Sequence, residues 1–472
     1  MVNPVNKINI AGATAAVMLL LCLVLQSGCA SLSTQNAFYG PITEELREGD
    51  YKASVEKIEA AKEDGKYKEK DRFLYYLDAG LAYHYAELYD SSNLRLTEAE
   101  DAARELYTKS ISKAATSLLL NDNVLEYSGE DYEILYSNLV MALNYIVMDK
   151  FDDAFVEVRR ANEKLELLEQ KYGDMAARYN EGNEEDTAKV DINYEAEKVR
   201  FNNAAFARYL SMHIYAADGR LDDARIDYDM LVNAFSDQPF IYDFDMPEVK
   251  YYSEDKSILS VVGLAGLSPV KEALNLRIRT DKDLDLVQIL YTDPWRKDTE
   301  YGHIPMKVSH DFYFKLAIPK IIEQPSVITK IRVMADSQYV GELRLIEDIA
   351  KVATETFEAK KSLIYLRTVA RAVFKGLTTY QMKKKADTGG LDGWLKKAAI
   401  DVGADITENA DLRCSHLLPG KIYVGDFEIA PGKYNLKIEF LDEAGQVISE
   451  TYVPNYKVLE RGLNLIEAVS LN

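Results

Sequence analysis

The chain is poor in cysteine. Of its 472 residues only Cys22, Cys29 and Cys414 carry a thiol, and the first two lie in or at the end of an apolar N-terminal segment. A disulfide framework is thereby excluded for the body of the chain, which must be held by its core. Positive charge is also short. Lys and Arg total 56 against 77 Asp and Glu, a net charge of −21, whereas nucleic-acid binding or adhesion to anionic lipid needs a clustered cationic surface. His84, His213, His303, His310 and His416 stand in no metal-ligand spacing, and no paired-cysteine motif occurs. A G-x-S-x-G elbow, a P-loop and a dinucleotide fingerprint are likewise missing. No cofactor, no metal and no enzymatic activity is therefore expected. The one apolar run, Ala15 to Leu25, falls short of the roughly 20 residues that cross a bilayer.

What is present begins at the N-terminus. Lys7, the apolar run and the small residues Ser27 and Gly28 have the order of a secretory signal. Leu25-Gln26-Ser27-Gly28-Cys29-Ala30 resembles the lipobox of bacterial lipoproteins, with Gln26 departing from the Leu that the family prefers. The resemblance implies cleavage before Cys29 and a diacylglycerol (palmitate-type) lipid on its sulfur. Residues 1–28 would be the signal peptide and 29–40 a tether. Ala30 in place of Asp implies the outer membrane, with the body facing the periplasm and the inner membrane as the other choice. Read without the resemblance, the segment is an uncleaved anchor, and both readings leave the body outside the cytoplasm. Two or three acyl chains make such an anchor stable.

Residues 41–245 are rich in Ala, Leu, Tyr, Glu and Lys and almost free of Pro, a composition that favours helix. They also repeat. Leu74, Leu77, Gly80 and Tyr83 recur as Tyr136, Leu139, Ala142 and Tyr145, then as Phe206, Tyr209, Met212 and Tyr215. A second pattern, Asp149-Lys150-Phe151 with Ala154, matches Gly219-Arg220-Leu221 with Ala224 and, earlier, Gly49-Asp50-Tyr51 with Ser54. In the two complete copies the Ala follows the Tyr by nine residues. This resembles the tetratricopeptide repeat (TPR), without that family's Trp and closing Pro. The resemblance implies helical hairpins stacked into an α-solenoid with a concave surface. That surface would take a peptide or helix of a partner protein, with Tyr83, Tyr145 and Tyr215 as contacts; the alternative is a spacer whose tyrosines fill the core. The acidic stretch Asn180–Asp186 reads as a loop.

Beyond Asp245 the period becomes alternating. Leu274–Ile278, Leu284–Tyr291, Phe312–Ile318, Ile331–Ala335 and Val340–Leu345 read as strands in a β-rich region 246–346. A helical insertion, 347–405, holds helices at Glu347–Ala386 and Trp394–Val402, and a second β-rich region covers 406–472. One sandwich built from both flanks, with the helices as an insertion or cover, is the expectation, and two separate β domains are the alternative. The fold class expected is α+β and multidomain: a TPR-like α-solenoid followed by a β-sandwich-like region with a helical insertion. Taken whole, the order is similar to functionally uncharacterised bacterial TPR-containing lipoproteins, whose shared end has the form Ala410-Asp411-Leu412-Arg413 to Leu418-Pro419-Gly420.

Two small constellations remain. Cys414 and His416 alternate in a β-entry segment, where a Cys–His pair competes with a half-buried thiol beside a loop histidine. Arg367, Arg371 and Lys375, spaced by four and continued by Lys383–Lys385, make a cationic stripe. It could hold an anionic cell-wall glycan or lipid headgroup, or dock on the chain's own acidic surface. The leading expectation is a lipid-anchored, periplasm-facing scaffold or adaptor that binds another envelope protein through the helical array. A glycan or lipid-headgroup binder acting through the C-terminal half is the alternative.

Overall fold

The computed structural model describes residues 36–116, 120–185, 194–292, 298–305, 313–386 and 410–472. Its N-terminal half is helical and its C-terminal half strand-rich, a mixed α+β arrangement. Among the described residues nine helices precede the first strand: α1 (Tyr39–Glu48), α2 (Tyr51–Glu63), α3 (Arg72–Tyr85), α4 (Tyr89–Thr116), α5 (Asp131–Val147), α6 (Phe151–Glu166), α7 (Leu168–Glu185), α8 (Ala205–Ala217) and α9 (Leu221–Asp237).

The nine-residue spacing seen in sequence has a backbone cause. Each of α1, α3, α5 and α8 ends in the same turn. Gly49, Glu87, Asp149 and Gly219 take positive φ (78, 61, 57 and 77°). The amide that follows each of them bonds back to the carbonyl of Glu45, Tyr83, Tyr145 or Tyr215. This is the Schellman closure of a helix. The residue donating that bond then accepts, through its carbonyl, the first bond of the next helix from Ser54, Ser92, Ala154 or Ala224. One turn therefore fixes the distance from the Tyr carbonyl to the small residue of the second helix. The copy at Tyr83, Glu87 and Ser92 was hidden in sequence because Glu replaces Gly and Ser replaces Ala. Small residues let the paired helices approach: Ser54, Ser92, Ala154 and Ala224 are all fully buried. A Cβ added to Gly80 would lie 2.6 Å from the Leu96 side chain. The expected loop at Asn180–Asp186 is instead helical through Glu185. The Asn180 side chain bonds both the amide and the carbonyl of Tyr194.

The strands are β1 (Ser257–Leu267), β2 (Val270–Asp281), β3 (Leu286–Thr292), β4 (Asp298–Pro305), β5 (Tyr313–Ile322), β6 (Lys330–Ala335), β7 (Gln338–Glu342) and β8 (Arg344–Asp348). Helix α10 (Ile349–Ala386) follows, then β9 (Pro419–Ile429), β10 (Gly432–Leu441), β11 (Val447–Val458) and β12 (Leu465–Ser470). Among the described residues the strands form three four-stranded sheets, ordered β12-β1-β9-β8, β11-β10-β6-β7 and β4-β3-β2-β5. Both flanks of α10 contribute to the first two sheets. The stretch Val340–Leu345, expected as one strand, is split between β7 and β8, which belong to different sheets.

Strand β1, absent from the sequence reading, is central. Its neighbours are β12, parallel, and β9, antiparallel. Leu259, Val261 and Ala265 share a core with Ile331, Val333, Leu436, Ile438 and Phe440 of the second sheet. Val262 and Leu264, pointing the other way, join the core of the helical half. A strand buried on both faces shows no alternation, which is why periodicity missed it. The third sheet packs its Leu276, Ile278, Val287 and Leu316 against Val369, Ala370 and Val373 of α10.

Candidate functional site

The hairpin array has two faces, and the chain itself covers one of them. The first helices of the hairpins, α3, α5 and α8, turn toward the first sheet and the segment 410–418. His84 of α3 lies 2.7 Å from Glu467 of β12 through Nε2 and 2.6 Å from Asn144 of α5 through Nδ1. The Tyr85 hydroxyl donates to the Leu417 carbonyl (2.7 Å). At α8, the Tyr209 hydroxyl donates to Asp426 of β9 (2.8 Å), and the Phe206 amide donates to Glu347 of β8 (2.9 Å). The inner face expected to be free for a partner is thus occupied by the chain's own sheet, in one continuous hydrophobic core.

Segment 410–418 is the seam, and it contains the Asp411-Leu412-Arg413 motif. The Arg413 guanidinium, buried, pairs with Asp71 and Asp411 (both 2.6 Å) and donates to the carbonyls of Leu125 and Asp122. Ser415 donates its amide to Glu133 (2.6 Å) and its hydroxyl to Asp78 (2.6 Å). Asp78 also accepts from the hydroxyls of Tyr39 and Tyr67 (2.5 and 2.9 Å). Burial pushes the Asp78, Glu133 and Glu347 carboxyls up to about 7 each. The Cys414 thiol is fully buried, and burial raises it far above its ordinary range. His416 stacks on Tyr39 with ring centroids 4.0 Å apart, and burial lowers it to about 4. Both groups are packed in the seam, where burial favours the protonated thiol and the neutral ring.

The cationic stripe ends in the chain's own acid. Arg367 and Arg371 are buried and pair with Asp122 (2.5 and 3.4 Å), and both donate to the Leu120 carbonyl. The side chains of Lys375 and Lys383–Lys385 lie outside the described residues, as do Cys29, the whole export segment, His310 and the Trp394–Val402 stretch. Beside the stripe a cavity of about 140 Å³ is lined by Lys271, Lys360 and Lys171 together with Glu130 and Asp131. Glu130 pairs with both Lys271 and Lys360, and Asp131 with Lys171 and Lys360. Burial opposes ionisation of Glu130, but the two lysines hold it below the usual carboxylate range. These pairs tie α5, α7, β2 and α10 together.

A second cleft, about 580 Å³, has Ser260 and His213 among its buried lining and Tyr251, Tyr252, Lys256 and Arg461 around them. Ser260 Oγ is 3.4 Å from His213 Nδ1, and His213 Nε2 is 3.1 Å from Asp426. Hydroxyl, imidazole and carboxylate in series are the parts of an acyl-transfer relay. Here Asp426 already accepts from Tyr209 and the Lys250 amide. The Ser260 amide, a natural oxyanion donor, is spent on the Asn464 carbonyl at 2.8 Å. The group straps α8 to the sheet.

The outward face is different. The second helices α4, α6 and α9 carry Leu94, Val156 and Ile226 at the same place, two residues after the buried Ser92, Ala154 and Ala224. All three apolar side chains are exposed, by 59, 44 and 54%. Tyr83, Tyr145 and Tyr215 are half-buried at the edge of the core. The Tyr83 hydroxyl donates to Glu59, while the Tyr215 ring packs against Phe155 and lies under the Arg220 guanidinium. Sequence reading named the tyrosines and missed the ladder. The signal was available in the register of the repeat, two positions beyond the small residue.

Among the described residues no helix is long and apolar enough to cross a membrane, and no group of three or more His, Cys, Asp or Glu could hold a metal ion. No protein-family model matches the chain, and no curated protein matches it.

Proposed function

We propose that the protein is a lipid-anchored adaptor of the cell envelope, facing the periplasm, that binds another protein through the outer face of a TPR-like hairpin array. The single observation behind the reading is the exposed apolar ladder Leu94, Val156 and Ile226, repeated in register on three hairpins. Scattered exposed apolar residues need no explanation, but recurrence at one repeat position is a pattern suited to a partner. The four identical turns favour the TPR-like reading of the array, and the shared core of the first two sheets favours a sandwich-like reading of the C-terminal half. The reading is one of binding rather than catalysis: at the Ser260–His213–Asp426 group, Asp426 already accepts from Tyr209 and the Lys250 amide, and the Ser260 amide is spent on the Asn464 carbonyl. The anchor rests on Ser27-Gly28-Cys29 after an apolar run.

Two experiments bear on this. Cys29→Ser should abolish lipid labelling and leave the chain uncut; normal processing and fractionation would remove the anchor. A photo-crosslinking residue at 94, 156 or 226 in living cells should trap one and the same envelope protein, identified by mass spectrometry. The same residue at the exposed position 105 should trap none. Equal trapping at all four positions, or none, would overturn the adaptor reading.

A further inference from the structure

The cleft floored by His213 and Ser260 has features that strapping α8 to the sheet does not explain. Residues 251–256, Pro431 of the β9–β10 turn, residues 460–464 between β11 and β12, and Gly219 between α8 and α9 close around it. Loops gathered at the end of a rigid scaffold are where ligand-binding groups collect. Its volume of about 580 Å³ lies within the roughly 300–1,000 Å³ of small-molecule sites. Ser257, the first residue of β1, lines the cleft and is only 4% exposed. Its hydroxyl nevertheless meets no hydrogen-bond partner among the described residues. A buried hydroxyl left alone costs free energy and calls for a cause. His213 and Ser260 are engaged with each other and with Asp426, so Ser257 is the polar group left for a ligand.

The rim narrows the chemistry of the occupant. Tyr252 is 55% exposed, while its neighbour Tyr251 packs near Tyr228. Lys256 and Arg461 stand on the rim with Glu254, Asp255 and Glu460, all exposed. Among the described residues none of these five is held in an ion pair. The two signs follow one another along each loop, as Glu254-Asp255-Lys256 and Glu460-Arg461. An anion would meet three carboxylates there, and a cation would meet two basic groups. A zwitterion would find no separated poles. A neutral ligand rich in hydroxyls finds donors and acceptors on every side. A sugar ring adds an apolar face of C–H bonds, which suits the electron-rich face of an exposed Tyr ring.

We propose that this cleft binds a neutral sugar. One ring face lies on Tyr252, the rim side chains share the outer hydroxyls, and one hydroxyl reaches in to Ser257. Ser260, His213 and Asp426 hold the shape of the floor and take no part in any reaction. Nothing in this binding depends on the adaptor reading.

The probes are the neutral disaccharides cellobiose, maltose, lactose and N,N′-diacetylchitobiose. Digalacturonate and the free-amine disaccharide of glucosamine serve as anionic and cationic counterparts. Each is tested by saturation-transfer difference NMR against the full chain, solubilised in a detergent without a sugar head. At least one neutral disaccharide should receive saturation, strongest at the protons of one ring face, and the charged counterparts should receive none. For the sugar that binds, Tyr252→Ala and Ser257→Ala should each weaken binding by roughly three- to tenfold, as for one stacked ring or one hydrogen bond lost. Tyr252 is exposed and the Ser257 hydroxyl has no partner in the fold, so both variants should keep the circular dichroism and thermal midpoint of the parent. Saturation of no neutral sugar, or a charged sugar bound in preference, overturns the proposal. Binding that both substitutions leave unchanged also overturns it, because the sugar then sits elsewhere on the surface. A lowered midpoint in Ser257→Ala would show that the hydroxyl serves the fold, and would overturn its assignment to the ligand.

Discussion

The two faces of the hairpin array are built from different chemistry. The inner face carries buried polar groups, Asp71, Asp78, His84, Glu133 and His213, each met by a residue of the C-terminal half. The outer face carries small buried residues at the helix contacts and single apolar side chains in solvent. Polar groups on a concave helical surface invite a ligand-binding reading, and here they serve the covering sheet instead. Apolar groups in solvent invite no reading one at a time and acquire one only through their register. What each face offers a partner is set by what already covers it.

The sharpest way to break this contrast is to remove the cover. A chain ending near residue 245 keeps every hairpin but loses β1, β8, β9, β12 and the seam. It exposes Leu77, Leu81, Leu139 and Leu210, which share a core with Val262, Leu264, Leu417 and Leu418. It also strands Asp71, Asp78 and Glu133 without their Arg413 and Ser415 partners. We expect no cooperative thermal transition, strong dye binding and lost near-ultraviolet dichroism, because a bared apolar core and buried carboxyls that each lose a partner cost several kcal/mol together. A cooperative transition in this fragment would show that the array folds independently of its sheet.

That expectation also marks how far the sequence could be read. The helical front and strand-rich back were legible because the period changes near Asp245 and the composition changes with it. The turns were legible at Gly49, Asp149 and Gly219, where Gly or Asp suits positive φ, and hidden at Glu87, where the residue type does not advertise it. Strand β1 was hidden by burial on both faces. The pairing of Arg413 with Asp71 spans more than three hundred positions, and no local pattern carries such a contact. The cationic stripe was visible as charge, but the acid that takes it, Asp122, was one among many.

Single substitutions sharpen the comparison. Arg413→Ala leaves the buried Asp71 and the half-buried Asp411 without this guanidinium, and should cost about 3–5 kcal/mol in denaturant unfolding. Ala154→Glu places a charge where the hairpin helices touch, with a loss of the same order. Val156→Glu, two residues on but in solvent, should leave the midpoint within about 0.5 kcal/mol of the parent. If positions 154 and 156 respond alike, the placing of Ala154 at the helix contact and of Val156 in solvent is wrong.

Acidity distinguishes the faces as well. Asp78, Glu133 and Glu347 hold their protons to about 7 in the fold, against about 4 when unfolded. The folded state binds more protons between these values, so stability from these groups is full below about pH 4 and falls as pH rises through 7. Glu130, Asp131 and Asp411 are shifted downward by their lysine and arginine partners, burial opposing, and His416 is lowered by burial. These contribute above their unfolded values and weaken the fold as pH drops. The thermal midpoint should therefore peak at mildly acidic pH and be several degrees lower at pH 8.5 than at 5.5. Glu133→Gln should flatten that alkaline slope, and a midpoint that rises steadily to pH 8.5 would show that the seam carboxyls are ionised in the fold.

The smallest effect concerns the turn tyrosines. Tyr83 stands between the faces: half-buried, its hydroxyl donating to Glu59 at 2.9 Å beside a second donor, Tyr75, at 2.7 Å. Its hydroxyl is shifted upward by burial and by that same carboxylate. Tyr83→Phe removes one of two donors and leaves the ring in place. Glu59 keeps Tyr75 and reaches solvent, so the loss should be about 0.5–1.5 kcal/mol, read as a small shift in urea midpoint. Adduct formation at position 156 should be untouched, because the hydroxyl points into the hairpin toward α2 and away from the ladder. An unchanged midpoint with a weakened adduct would instead move the binding surface to the turns, with Tyr145 and Tyr215 as its other members. The outer ladder would then be a by-product of the repeat rather than its purpose.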